Sequence, residues 1–276
     1  MDDQIVVLFC LCDDFLKSIG HHENCQCRMS DAEVLTTALV SALYFGGNYE
    51  LARFLLREPR YIAKMLSKSR FNRRLHRISH LLDALFGILA ETWKVLNEEK
   101  RYSLDTFPVP VCDNIRISRA RIYQTEDFRG YTSSKRRYFY GLKLHLLVTE
   151  AGQPVEFFLT PGATADVSGL KIFSFDLPEG SIVFGDKAYN EYLVEDILKE
   201  AGIQLLPFRK KNSKRKLPPW WVFLQQHYRK TVETAGSLIE RRMPKHIHAV
   251  SAAGFELKVA LFVLSLSLSH LLKVAT

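Results

Sequence analysis

The hydrophobic period of this chain changes near residue 100, and that break limits what it can fold into. Before it, apolar residues recur at helical spacing. Ile5 to Phe15 predicts an apolar helix, and Ser30-Asp31-Ala32-Glu33 reads as a capping box that opens a second. That second helix carries Val34, Leu35, Ala38, Leu39, Ala42 and Leu43 and ends near Gly46-Gly47. Helices over 48–57 and 59–66 follow. A longer one begins near Ser69, with Leu75, Ile78, Leu82, Leu85 and Leu89 along one face.

After residue 100 the period becomes two. Tyr102 to Thr106 predicts a short strand, and Tyr138 to Thr149 alternates, with Leu142, Leu144, Leu146 and Val148 opposite Gly141, Lys143 and His145. Val155 to Thr160, Ser181 to Phe184 and Ile203 to Phe208 predict three more strands. Helices are expected over Val167 to Phe175 (capped by Asp166), about 190–201 and about 221–242. A basic insert, about 107–137, parts the first two strands. The expectation is an all-helical domain, 1–98, followed by an α/β domain, 99–276, holding a mixed five-stranded sheet flanked by helices. Val259 to Leu272 is apolar for 14 residues, short of the roughly 20 that span a bilayer, and reads as a core helix with no membrane partner.

Charge is as uneven as period. The chain carries a net +8, and residues 201–245 hold 11 Lys/Arg against Glu233 and Glu240. Residues 53–77 have nine Lys/Arg and one Glu, and residues 116–143 have eight against two acids. Three separate basic segments on one chain point to a long polyanion, and double-stranded nucleic acid is the natural one. The basic short helices of 1–98 suit either a groove-reading DNA-binding domain or an ordinary helical cap. Met1-Asp2-Asp3 puts acid where a secretion signal carries base, so a cytoplasmic protein, nucleoid-associated when bound to DNA, is expected. Five cysteines make an odd, sparse set that argues against a disulfide scaffold. The one-residue gaps in Cys10-x-Cys12 and Cys25-x-Cys27 are too short for a usual zinc site, so these read as buried thiols.

Within the α/β region three carboxylates fall at telling places. Asp105 lies on the first strand, Asp186 just past the end of Ser181–Phe184, and Glu233 on the late helix. If the first and fourth strands are neighbours, all three meet in one crevice, the RNase H-like arrangement. An apolar strand burying an unpaired carboxylate is costly, which favours a metal-ligand role for Asp105 and Asp186. Hard cations such as magnesium take oxygen donors. Two of them can activate the attacking oxygen and stabilise the leaving one in a displacement at phosphorus. Asp113 and Asp166 read as loop and cap residues.

Five blocks carry a family resemblance. They are Leu104-Asp105-Thr106-Phe107-Pro108 with Cys112; Tyr140-Gly141-Leu142-Lys143-Leu144-His145; Thr160-Pro161-Gly162-Ala163 leading to Asp166; Gly185-Asp186-Lys187-Ala188-Tyr189; and Arg229 with Val232-Glu233. In this order the sequence resembles the DDE transposases of bacterial insertion sequences, over about residues 100–240. The resemblance implies an RNase H-like catalytic domain in which Asp105, Asp186 and Glu233 bind two Mg2+ ions, with Mn2+ as a substitute. It further implies DNA cleavage and strand transfer at terminal inverted repeats by a homodimer on DNA. Related sequences often carry Tyr seven residues before the Glu and Lys seven after; here these are Gln226 and Glu240, with Tyr228 and Arg241 nearby as substitutes. Glu240 is the rival third carboxylate. DNA contacts are expected from Lys143, His145, Lys187, Arg229, Arg136, Arg137, Lys210 and Lys211. The alternatives are an RNase H-like nuclease or resolvase without strand transfer, and a non-catalytic DNA-binding protein derived from a transposase.

Overall fold

The computed structural model describes residues 1–132, 136–209 and 212–274. The chain divides into two compact units. One holds Met1–Ile88, Ile239–Ala249 and Ala253 onward; the other holds Leu89–Leu238 and Val250–Ala252. In this division the C-terminal helix groups with the N-terminal helices, whereas the sequence pattern places it within 99–276. Contact along a folded chain is decided by apolar faces, and sequence distance hides it.

The first unit is helical. It contains α1 (Asp2–Ser18), α2 (Asp31–Tyr44), α3 (Tyr49–Leu56), α4 (Lys68–Arg77), the start of α5 (Ser79–Leu96) and most of α9 (Ala252–Val274). Ser30 and Glu33 form the expected capping box, which satisfies two orphan donors at the start of α2. Both α2 and α9 are apolar around most of their circumference and lie in the core. Their hydroxyls bond back to the preceding turn, as Thr36 does to the Ala32 carbonyl and Ser265 to that of Phe262. By length and hydropathy α9 could cross a bilayer, but 67% of its apolar window is buried in the protein. The helix expected over 59–66 is a run of turns; only Ile62 is fully buried there, too little to offset helix nucleation. The long helix expected from Ser69 breaks at Ile78 into α4 and α5. Of the thiols read as buried, Cys12 is enclosed, Cys27 is half-buried, and Cys10 and Cys25 are exposed.

The second unit is built on a mixed sheet of six strands, not five: β1 (Arg101–Asp113), β2 (Arg129–Thr132), β3 (Arg137–Thr149), β4 (Pro154–Pro161), β5 (Ile182–Gly185) and β6 (Gln204–Pro207). The order is β2-β3-β1-β5-β6. β4 shares an edge of β3 with β2, which pairs with Arg137–Tyr140 while β4 pairs with Leu142–Val148. β1 runs antiparallel to β3 and parallel to β5, as the expected crossover requires. The added strand, β2, lies in the basic insert and has only four residues, too few to show alternation. β1 extends seven residues past its predicted end, through Pro108 and Pro110. Those nitrogens lie two residues apart and so face one edge, and beyond Ser103 the edge toward β5 is unpaired.

The remaining α-helices among the described residues are α6 (Asp166–Leu170), α7 (Tyr192–Glu200) and α8 (Pro219–Arg242). α6 is shorter than predicted because the Glu156 carboxylate takes the backbone N–H groups of Ser174 and Phe175. Asp166 does not cap it; Ala165 holds that position. The N-terminal half of α8 docks through Tyr228, whose ring stacks on Phe184 at 4.8 Å and whose carbonyl accepts from Ser103 Oγ at 2.9 Å. Gln225 adds a bond to the Leu206 carbonyl.

Candidate active site

The parallel pairing of β1 with β5 ends at Ser103 opposite Phe184. Asp105 and Asp186 each follow two residues later, so both aspartates leave the same end of the ladder. Leu104, Asp105, Gly185, Asp186, Phe208, Gln225, Arg229 and Val232 line one cleft there. α8 passes over the cleft at a distance set by Gly236. A Cβ on that residue would stand 2.1 Å from the Phe107 ring, so only glycine allows the helix this close to β1. One turn earlier on α8, Glu233 accepts from Arg229 Nε at 2.7 Å, and Arg229 Nη1 reaches Asp186 Oδ1 at 3.3 Å. One guanidinium thus holds the second and third carboxylates together.

The electrostatics join the first to them. Burial raises the Asp105 carboxyl from 3.8 to about 6, and the negative charges of Asp186 and Glu233 add to the rise. The backbone N–H of Thr106, 2.8 Å away, and the Arg229 charge oppose it. A half-buried carboxyl under the charge of two more carboxylates is the condition that a bound cation relieves. The donor set of Asp105, Asp186 and Glu233 is all oxygen, the chemistry that suits a hard divalent ion. Glu240, the rival third ligand, belongs to the other compact unit.

A family model described as Transposase DDE domain matches residues 97–244, more than half of the chain. The chain belongs to the DDE transposase family. As a DDE transposase it is an enzyme of DNA transposition, in a class that generally uses divalent metal ions. Among solved structures, a piggyBac transposase synaptic complex with hairpin DNA aligns with a TM-score of 0.44 and 10% identity, over 100% of this chain and 67% of that one. No curated protein matches the chain.

The remaining predicted contacts divide. Lys187 is exposed on the turn after Asp186, Arg136 and Arg137 are exposed before and at the start of β3, and Arg229 is half exposed. Lys210 and Lys211 lie outside the described residues. His145 does not offer itself to DNA: its ring is fully buried between β3 and β4, stacked on Phe158 at 4.6 Å. Lys143 is engaged as well, giving its ammonium to the Thr164 carbonyl at 2.7 Å and to Asp166 at 3.0 Å. Both corrections have one cause. The face of β3 that reads as polar is covered by protein. Tyr228, the substitute for the missing family tyrosine, is core as well.

A second acidic group lies in the helical unit. His21, Glu23 and Asp31 bring their ligand atoms within 4.8 Å of one another. Arg74 already occupies this cluster, with Nε 2.7 Å from Asp31 and Nη2 3.8 Å from Glu23. The group works as an ion-pair hub, and the Asp31 carboxylate there has its partners.

Proposed function

We propose that this DDE transposase serves a bacterial insertion sequence, cleaving DNA at terminal inverted repeats and joining the freed ends to a target. The observation that carries the reading is the cleft that a half-buried Asp105 shares with Asp186 and Arg229, whose guanidinium also holds Glu233. Asp105, Asp186 and Glu233 would hold two Mg2+ ions, with Mn2+ able to replace them. When bound, such ions activate a water or a 3′-hydroxyl and stabilise the departing oxygen. The chain's own groups do the positioning. Asp105 gives up the proton that burial favours, and Arg229, half exposed, is placed to exchange a carboxylate for a DNA phosphate.

DNA binding is assigned to three surfaces. α4 buries Phe71 and Leu75 and exposes Lys68, Arg70, Arg73 and Arg77, an amphipathic helix with a basic outer face. Arg136 and Arg137 supply the second, and Lys187 with the 209–216 segment the third. Joining two ends requires two catalytic centres, so the working form is a homodimer on DNA, in the cytoplasm and bound to the nucleoid.

The test is a strand-transfer assay with pre-cleaved ends taken from the DNA that flanks the gene. Joined product in Mg2+ is the expected result. Cleavage of uncut DNA without joining would make the chain a nuclease or resolvase. Binding without either reaction would make it a non-catalytic relative.

A further inference from the structure

Asp105 and Asp186 both lie beyond the last paired residues of β1 and β5, so no ladder bond fixes their separation. Side chains span that gap. Thr106, next to Asp105, has its Oγ1 2.5 Å from the hydroxyl of Tyr189, which lies one short turn after Asp186. The same Oγ1 is 3.0 Å from Nδ1 of His145 on β3, and His145 Nε2 is 2.8 Å from Thr160 Oγ1 on β4. Four elements are therefore joined by one chain of hydrogen bonds, Thr160–His145–Thr106–Tyr189.

This chain is enclosed. His145 and Tyr189 are essentially without solvent exposure. Phe158 covers one face of the imidazole and Phe173 meets it edge-on. α6 closes the other side at Gly169, where a Cβ would stand 2.1 Å from the ring. The Lys143–Asp166 pair holds the start of α6. Burial drives the imidazole down to about 4, so the ring is neutral at ordinary pH, with one nitrogen to give and one to accept. Such a network costs free energy unless each member is satisfied, and here each has a partner.

We propose that Thr106, Tyr189 and His145 are positioning residues that set the spacing of the Asp105 and Asp186 carboxylates for divalent metal. The proposal rests on the reading of those aspartates as metal ligands. Groups that orient ligands from behind are worth about 10- to 100-fold in metal affinity. Thr106 is the junction, since its single hydroxyl links the Asp105 strand to the turn after Asp186.

The test is Mn2+ binding by the full-length protein without DNA, followed by electron paramagnetic resonance of the free ion. Tyr189→Phe and Thr106→Val each remove one hydroxyl and keep the side chain's volume, and each should weaken Mn2+ binding about 10- to 100-fold. Thr106→Ser, which keeps the hydroxyl, should bind as the wild type does. Melting curves in chelator separate folding from positioning, because a role in packing alone would lower the melting temperature and leave the affinity of the folded protein unchanged. Loss of binding in Asp105→Asn with wild-type binding in Tyr189→Phe and Thr106→Val would overturn the network alone. Binding that is indifferent to Asp105→Asn would overturn the ligand assignment beneath it.

Discussion

Gly236 on α8 and Phe107 on β1 approach so closely that a Cβ at 236 would lie 2.1 Å from the phenyl ring. Phe107 is two residues past Asp105, and Gly236 is three past Glu233. The contact therefore sets how far the helical carboxylate stands from the strand carboxylate. Gly236→Ala gains about 1 kcal/mol of helix propensity but forces an overlap that costs about 1–3 kcal/mol. The overlap should dominate. Urea unfolding should show net destabilisation, and Phe107→Leu in the same chain should recover part of it.

Asp105 should be a site where stability is given up for chemistry. Its carboxyl is raised to about 6 in the folded protein, against 3.8 unperturbed. The folded state therefore holds the proton more tightly, and the metal-free protein loses stability as pH rises from the lower value to the upper, then stays penalised. Asp105→Asn removes that charge. Calorimetry in chelator near neutral pH should show the variant more stable, by on the order of 1–3 kcal/mol, while its cleavage activity is lost. A variant less stable than the parent would show that the carboxylate is not strained.

Arg229 competes with metal in the DNA-free protein, because its guanidinium already bridges Asp186 and Glu233. Arg229→Gln should tighten Mn2+ binding about fivefold, the equivalent of ~1 kcal/mol for charges at a part-exposed site. The same variant should bind DNA less tightly. Titration calorimetry with and without DNA would read both effects.

Charge also ties Arg209 and Arg215 to Glu195 of α7. Arg209 makes two bonds to Glu195, at 2.6 and 2.8 Å, and both side chains are nearly enclosed. Arg209→Ala leaves the carboxylate, among the described residues, with Arg215 3.3 Å away. Breaking such a pair should cost about 2–4 kcal/mol. Limited proteolysis should then cut within 212–217 far sooner than in the parent.

Electrostatic DNA binding by α4 has its own signature. Arg70→Ala and Arg73→Ala should each lower the slope of log affinity against log salt by about one. Slopes identical to the parent's would remove α4 from the interface.

Much of this architecture was readable from residue pattern. The switch of period near residue 100 separates the helical region from the sheet, Ser30 and Glu33 mark a helix start, and the leucine alternation of 142–148 finds β3. Asp105 and Asp186 stood out because an acid at an apolar strand needs a partner, and Glu233 stood out through its family block. What escaped depended on tertiary cover. Alternation puts Lys143 and His145 on a polar face, but α6 and the rings of Phe158 and Phe173 bury that face, turning His145 inward. The part of β1 beyond Thr106 also escaped, because the unpaired edge that tolerates Pro108 and Pro110 is invisible in sequence. Tyr189 and Thr106 stand in two of the family blocks, but their bond gave no signal, since a hydrogen bond between residues 83 apart has no local pattern.

The direct test of the central claim is iron-mediated cleavage of the polypeptide. Fe2+ bound in place of the native ion, with ascorbate and peroxide, cuts the backbone around its own ligands. Cuts near Asp105, Asp186 and Glu233 together, all lost in Asp105→Asn, are the predicted result. Cuts confined to one of the three segments, or centred on His21 and Asp31, would contradict it.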